Sequence, residues 1–137
     1  MPKCRVFAID DNLKAVVENG LYMKTIIGKT MSVAVVKFVQ EKGTALPAKA
    51  HDHGEEASFQ VKGSCSIFEV HPDGSEVERR LPQGDAMLIP GGLSHYGVNS
   101  YGEEGVSMRL NVVSPPRAEY TAEDDTPYYP LANRGAA

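Results

Sequence analysis

Apolar residues along this chain fall in short alternating or near-continuous runs, cut at regular intervals by glycine, proline and aspartate. After residue 20 the runs read "YMKTIIG", "MSVAVVKFVQ", "SCSIFEV", "VERRL", "DAMLIP", "HYGVNS" and "GVSMRLNVV". β-Branched and aromatic side chains fill them, and such runs bounded by turn residues predict strands. Between two of them "HPDGSE" is a turn with a mechanism: proline presets φ and glycine accepts a positive φ. Short strands with frequent turns predict an all-β fold, an antiparallel β-sandwich or barrel.

One stretch carries a helical period instead. In "DDNLKAVVENG", Leu13, Val16 and Val17 stand at i, i+3, i+4, Asp10 or Asp11 offers an N-cap and Gly20 a stop. That predicts a short helix over about 10–20. The C-terminal tail, from residue 114 to 137, reads as extended, because Pro115, Pro116 and Pro130 oppose helix. Tyr128 and Tyr129 are predicted to dock it on the body or on a partner subunit.

Length and composition narrow the function. A chain of 137 residues reads as one domain, 1–137. It is long enough to bury roughly two-thirds of its unfolded surface without a disulfide. Cys4 and Cys65 follow no metal or redox spacing, and Cys65 reads as a small buried strand residue. Net charge is −4 with no run of Lys or Arg, and Arg79–Arg80 is too short for a nucleic-acid footprint. No apolar run reaches membrane-spanning length, and "MPKCRVFA" lacks the apolar core of a signal peptide. The expectation is a soluble cytoplasmic protein with a small-molecule ligand, no nucleic acid and no membrane.

The chemistry concentrates in "AKAHDHGEEASFQVKG", which holds His51 and His53, two of the chain's four histidines. Residues two apart on a strand share a face, so the two imidazoles project side by side. With Glu55 or Glu56 following at once, they form half of a divalent metal site. A third element has to complete it, and His95, after the Pro-Gly-Gly turn of "GDAMLIPGGLSHYGVN", is placed to do so. His71, at the mouth of the "HPDGSE" hairpin, reads as a solvated turn residue.

These residues resemble the cupin superfamily. Its second motif, G-x5-P-x-G-x2-H-x3-N, is met at every fixed position by Gly84, Pro90, Gly92, His95 and Asn99. Of its first motif, His51, His53, Glu56 and Gly63 keep the pattern, with two residues rather than three or four between His53 and Glu56. Seven residues rather than five separate the upstream glycine, Gly43, from His51. The resemblance covers about 24–113 and implies a cupin-type antiparallel β-sandwich, or jelly-roll barrel. It implies one divalent metal ion held by His51, His53, Glu56 and His95. A register slipped by one would bring Ala57 to the carboxylate's position. In the intended register Glu56, Ser58 and Gln60 share the inward face, Gln60 serving as substitute ligand or substrate contact. Glu56, Gln60 and Tyr96 are the residues expected to move protons. Lys49, Tyr96, Met108 and Asn111 are candidates for the pocket lining, and Asn99 is read as tying a turn.

Mixed nitrogen and oxygen ligands with open positions favour Fe(II) or Mn(II) and oxygen chemistry. The resemblance therefore implies first an Fe(II)-type dioxygenase of a phenolic, diketone or enol substrate. Zn or Ni on the same ligands would act as a Lewis acid, giving a non-redox cyclase or isomerase of the polyketide-cyclase type. A non-catalytic ligand-binding cupin is a further expectation from another class. A homodimer is expected as cover for the sheet edges.

Overall fold

A computed structural model describes residues 3–9, 13–17, 20–39, 50, 52–101 and 105–117. Among them are nine strands and no helix: β1 (Lys14–Val17), β2 (Leu21–Ile27), β3 (Ser32–Val39), β4 (Glu55–Lys62), β5 (Ser64–Val70), β6 (Glu76–Leu81), β7 (Ala86–Ile89), β8 (His95–Ser100) and β9 (Val106–Ser114). They pair antiparallel into a six-stranded sheet, β1-β2-β3-β9-β4-β7, and a three-stranded sheet, β6-β5-β8. This is the expected all-β sandwich, and each of the seven apolar runs lies on a strand.

The helical reading of 10–20 is corrected. Lys14–Val17 form a strand, with Lys14 opposite Met23 and Ala15 opposite Tyr22. Two turns of helix hold little stability alone, whereas the edge of β2 offers this segment a ladder of backbone hydrogen bonds. Asp10 and Asp11 lie outside the described residues, as do His51, Lys49 and the tail with Tyr128 and Tyr129.

Alternation along β4 decides the register question. Glu56, Ser58 and Gln60 are buried, while Glu55, Ala57 and Phe59 are exposed, so the inward face carries Glu56 and not Ala57. The β4–β5 turn needs a glycine: Gly63 has φ +66°, and a Cβ there would stand 2.6 Å from the Val106 carbonyl oxygen.

The interior is divided. One apolar cluster, Leu21, Met23, Ala34, Val36 and Phe38, lies on β2 and β3. Another, Cys65, Ile67, Leu81 and Ile89, joins β5 and β6 to β7. Along β4 and β9 the buried side chains are polar apart from Val113: Glu56, Ser58, Gln60, Ser107 and Arg109. Two strands of a sandwich core that bury polar groups are the informative exception to apolar filling, and they lead to the site.

Candidate metal centre

Two turns meet at one end of the sandwich. β7 ends at Ile89, the register partner of Glu56, and the chain turns through Pro90, Gly91 and Gly92 toward β8. The N–H of Gly92 donates to the His53 carbonyl across 2.9 Å, tying this turn to the residues just before β4. Gly54 lets those residues approach the sheet: a Cβ on it would stand 2.3 Å from the Ser114 carbonyl oxygen. The shortened spacing between His53 and Glu56 thus runs through a residue with no room for a side chain.

His53, Glu56 and His95 converge, each offering a ligand atom within 4.8 Å of the others'. His53 Nε2 lies 3.0 Å from Glu56 Oε1. The two imidazoles stand edge to face, with ring centroids 4.9 Å apart and an interplanar angle of 85°. His53 Nδ1 is 2.8 Å from the Gly54 carbonyl and His95 Nδ1 is 2.8 Å from the Leu93 carbonyl. A carbonyl oxygen only accepts, so both Nδ1 atoms carry hydrogen, and in the neutral rings Nε2 is the atom left to bind a cation. Backbone carbonyls that orient ligand imidazoles in this way are a recurrent feature of metal sites.

Electrostatics keep this set ready. Burial pushes the Glu56 carboxyl up, but when the rings are charged a hydrogen bond from His53, one from Ser58 and the attraction of His53 and His95 outweigh it and hold the group at about 2. Burial pushes the His95 imidazole down from its ordinary value, against the pull of its Leu93 hydrogen bond and of Glu56. An ionised carboxylate beside an imidazole held neutral is the protonation state a divalent ion requires. Ser58 donates to Glu56 Oε2 and stands 3.0 Å from the Asn111 side-chain amide, which fixes the carboxylate plane. Two imidazoles and one carboxylate with metal-bond lengths near about 2.1 Å would sit about 3 to 4 Å apart, so the donor set fits one ion with modest closure.

The other expected site residues lie elsewhere. Gln60 is wholly buried on the face of Glu56 but four residues farther along β4, roughly 13 Å of strand. Its Nε2 donates to the Lys62 carbonyl and to Ser107 Oγ, while its Oε1 has no hydrogen-bond partner among the described residues. Tyr96 is not brought to the cluster. His95 points inward, so the next residue points outward, where Tyr96 stacks on Phe68 and donates to Glu76. Asn111 faces the interior beside Ser58, whereas Met108 stands opposite Lys37 on the other face of β9. Asn99 lies on β8 rather than in a turn, and its Oδ1 accepts from Ser107 Oγ and Arg109 Nη1. His71 lies 3.8 Å from Glu69 at the β5–β6 hairpin.

A pocket of about 390 Å³ opens between β6 and β7, the edges of the two sheets. Ile67, Met87, Ile89 and Leu93 form its apolar wall, and Glu69 with Arg79, paired at 3.2 Å, its charged side. Ile89 is the partner of Glu56 and Glu69 the partner of His95, so the pocket adjoins the cluster. Sequence reading missed Gly54, Ser58's bond to Glu56, and Arg109. For Arg109 the signal was available: it alternates with Ser107 and Asn111 along β9.

Comparison with known proteins agrees with this fold. The family described as Cupin matches residues 16–123. KdgF from Halomonas sp. is similar in structure, 24% identical with a TM-score of 0.60 over 82% of this chain and 96% of that one. An RmlC-like cupin from Shewanella frigidimarina NCIMB 400 is 18% identical, with a TM-score of 0.62 over 88% of this chain and 100% of that one. Hydroxypropylphosphonic acid epoxidase from S. wedmorenis is 15% identical, with a TM-score of 0.58 over 80% of this chain and 59% of that one. Fe(II) and Co(II) forms of HppE share the same fold. No curated protein matches the chain significantly.

Proposed function

The chain belongs to the cupin family, and from that premise we propose that it is a metal-dependent enzyme acting on a small organic molecule, with Fe(II) and oxygen chemistry on a phenolic, diketone or enol substrate. The observation that carries the reading is the convergence of His53, Glu56 and His95. Two histidines and a carboxylate with open positions are the ligand set of non-haem Fe(II) oxygenases. His51, two residues before His53, is the proposed fourth ligand. The Fe(II) form of HppE, a protein of the same fold, lends the metal assignment support.

Iron(II), when bound, supplies redox chemistry with dioxygen, and the remaining tasks fall to the chain. Ile67, Met87, Ile89 and Leu93 bury the apolar body of the substrate and exclude water from the reacting end. The Gly54 and Leu93 carbonyls hold the two imidazoles in one orientation. Ser58 holds Glu56 in the orientation and ionised state that a ligand needs.

The test is oxygen uptake by the Fe(II)-loaded protein with a catechol, a 1,3-diketone and an enol, beside its metal-free form and Glu56→Ala. Uptake with substrate loss, abolished by metal removal and by the variant, supports the reading. Substrate loss without oxygen, equal with Zn or Ni, would replace it with a non-redox cyclase or isomerase. Tight binding with no turnover under either condition would leave a ligand-binding cupin.

A further inference from the structure

Arg109 lies on β9, facing the interior, and is 8% exposed. Its Nη1 donates to Asn99 Oδ1 at 2.7 Å, its guanidinium lies 4.9 Å from the centre of the Phe38 ring, and it stands beside the Cys65 thiol. These partners are neutral, and no carboxylate among the described residues pairs with it. A guanidinium brings five N–H donors, and a buried cation without a counter-charge costs several kcal/mol. Interior cations are therefore paired, and here the pairing anion has to come from outside the described chain.

The surroundings of Arg109 favour a ligand. A Cβ on Gly97 would stand 3.9 Å from Arg109 Nη2 and 3.3 Å from Ile67 Cδ1, so the guanidinium reaches across the interior to β8 at a residue without a side chain. Gly97 follows His95 by two residues on the same face, about 7 Å along the strand. Ile67 lines the pocket beside the metal cluster, and Ile67 Cδ1 and Arg109 Nη2 both come within 4 Å of the place a Gly97 Cβ would take. Gln60, the register partner of Arg109, is wholly buried, with its Oε1 unpartnered among the described residues. The layer one step inside the metal cluster thus holds a cation to which no described carboxylate is paired. Asn99, Asn111 and Tyr101 beside it are only half-buried, so this part of the interior is not sealed.

We infer that Arg109 is the anchor of an anion subsite, and that the ligand of this protein is a small organic carboxylate. Its carboxylate meets Arg109 while its other end reaches the His53–Glu56–His95 cluster about one strand layer away. The inference deepens the proposed function by naming a substrate class. The metal end of the ligand rests on that reading, but the anion subsite does not.

The experiment uses butyrate and benzoate, each beside its primary amide, at fixed ionic strength. Binding is followed by calorimetry on metal-free and Fe(II)-loaded protein, with metal content measured separately. At least one acid is expected to bind metal-free wild type roughly ten- to a hundredfold tighter than its amide, the gain of a charge-assisted hydrogen bond. Arg109→Gln should abolish the difference. Gly97→Ala keeps the cation and narrows the space beside it, so it should weaken acid binding even if Arg109→Gln fails to fold. Wild type that does not distinguish acid from amide, or a preference unchanged in both variants, overturns the inference. Acid preference in a protein that takes up no metal would sink the metal reading alone, and metal uptake without acid preference would sink this inference alone.

Discussion

The N–H of Gly92 donates to the carbonyl oxygen of His53 across 2.9 Å. Through that bond the turn that delivers His95 is fastened to the residues that deliver Glu56. Ligands from two distant stretches of sequence therefore share one backbone frame, and perturbing the frame should disturb the site without touching a ligand.

Gly54 is the sharpest place to test this. With a Cβ 2.3 Å from the Ser114 oxygen, Gly54→Ala must displace either β9 or His53. The expected outcome is a loss of about 1–3 kcal/mol in stability together with weakened metal binding, read by thermal unfolding and metal titration. Unchanged values for both would show that the close approach is not needed.

Ser58 steadies Glu56 from behind by donating to Oε2. Ser58→Ala should lower metal affinity roughly ten- to a hundredfold, the usual effect of removing a group that orients a ligand. It should also raise the Glu56 carboxyl from about 2, which titration followed by infrared or NMR spectroscopy would register.

Acid should weaken the metal-free protein in two stages. His95 has its folded value pushed below the ordinary 6.5 by burial. The unfolded chain then binds the proton first, and stability declines as pH falls below 6.5. Glu56 is held at about 2 against an ordinary 4.5. Its contribution is complete above 4.5 and disappears as pH falls toward 2. Calorimetry of chelated protein should show both declines, with Glu56→Gln flattening the lower one and His95→Gln the upper. A Glu56→Gln curve parallel to wild type below pH 4.5 would contradict the assignment.

Cys65 is 1% exposed, and burial pushes its thiol up, while Cys4 is exposed. Iodoacetamide should label Cys4 alone in the native protein and both cysteines after denaturation. Native labelling of Cys65, read by mass spectrometry, would mean that the interior opens far more than this packing allows.

Much of the site was legible because its signals are local. The proline-glycine turn ahead of His95 marks a side chain whose direction the strand period determines, whereas His53 precedes β4 and His51 lies outside the described residues. The same period separates Glu56 from Ala57. It also predicts that Tyr96, adjacent to His95, faces the other way, and that Met108 and Asn111, three apart, cannot share a face. Those proposals followed nearness in sequence where alternation decides. Tyr96→Phe is accordingly expected to leave metal content and turnover intact and to move stability by no more than about 0.5 kcal/mol. What could not be read locally depends on distant partners. β1 is a strand because β2 pairs with it. Gly54 matters because Ser114 lies against it, and Arg109 stands out only once its neighbours Asn99, Cys65 and Phe38 prove to be uncharged.

The central claim is that His53, Glu56 and His95 bind one ion. Elemental analysis of protein reconstituted separately with Fe, Mn, Ni and Zn, beside His95→Ala treated identically, tests it most directly. The predicted result is close to one equivalent per chain in wild type, with Fe(II) retained, and almost none in the variant. Wild type that stays metal-free, or a variant that loads as fully as wild type, would contradict it.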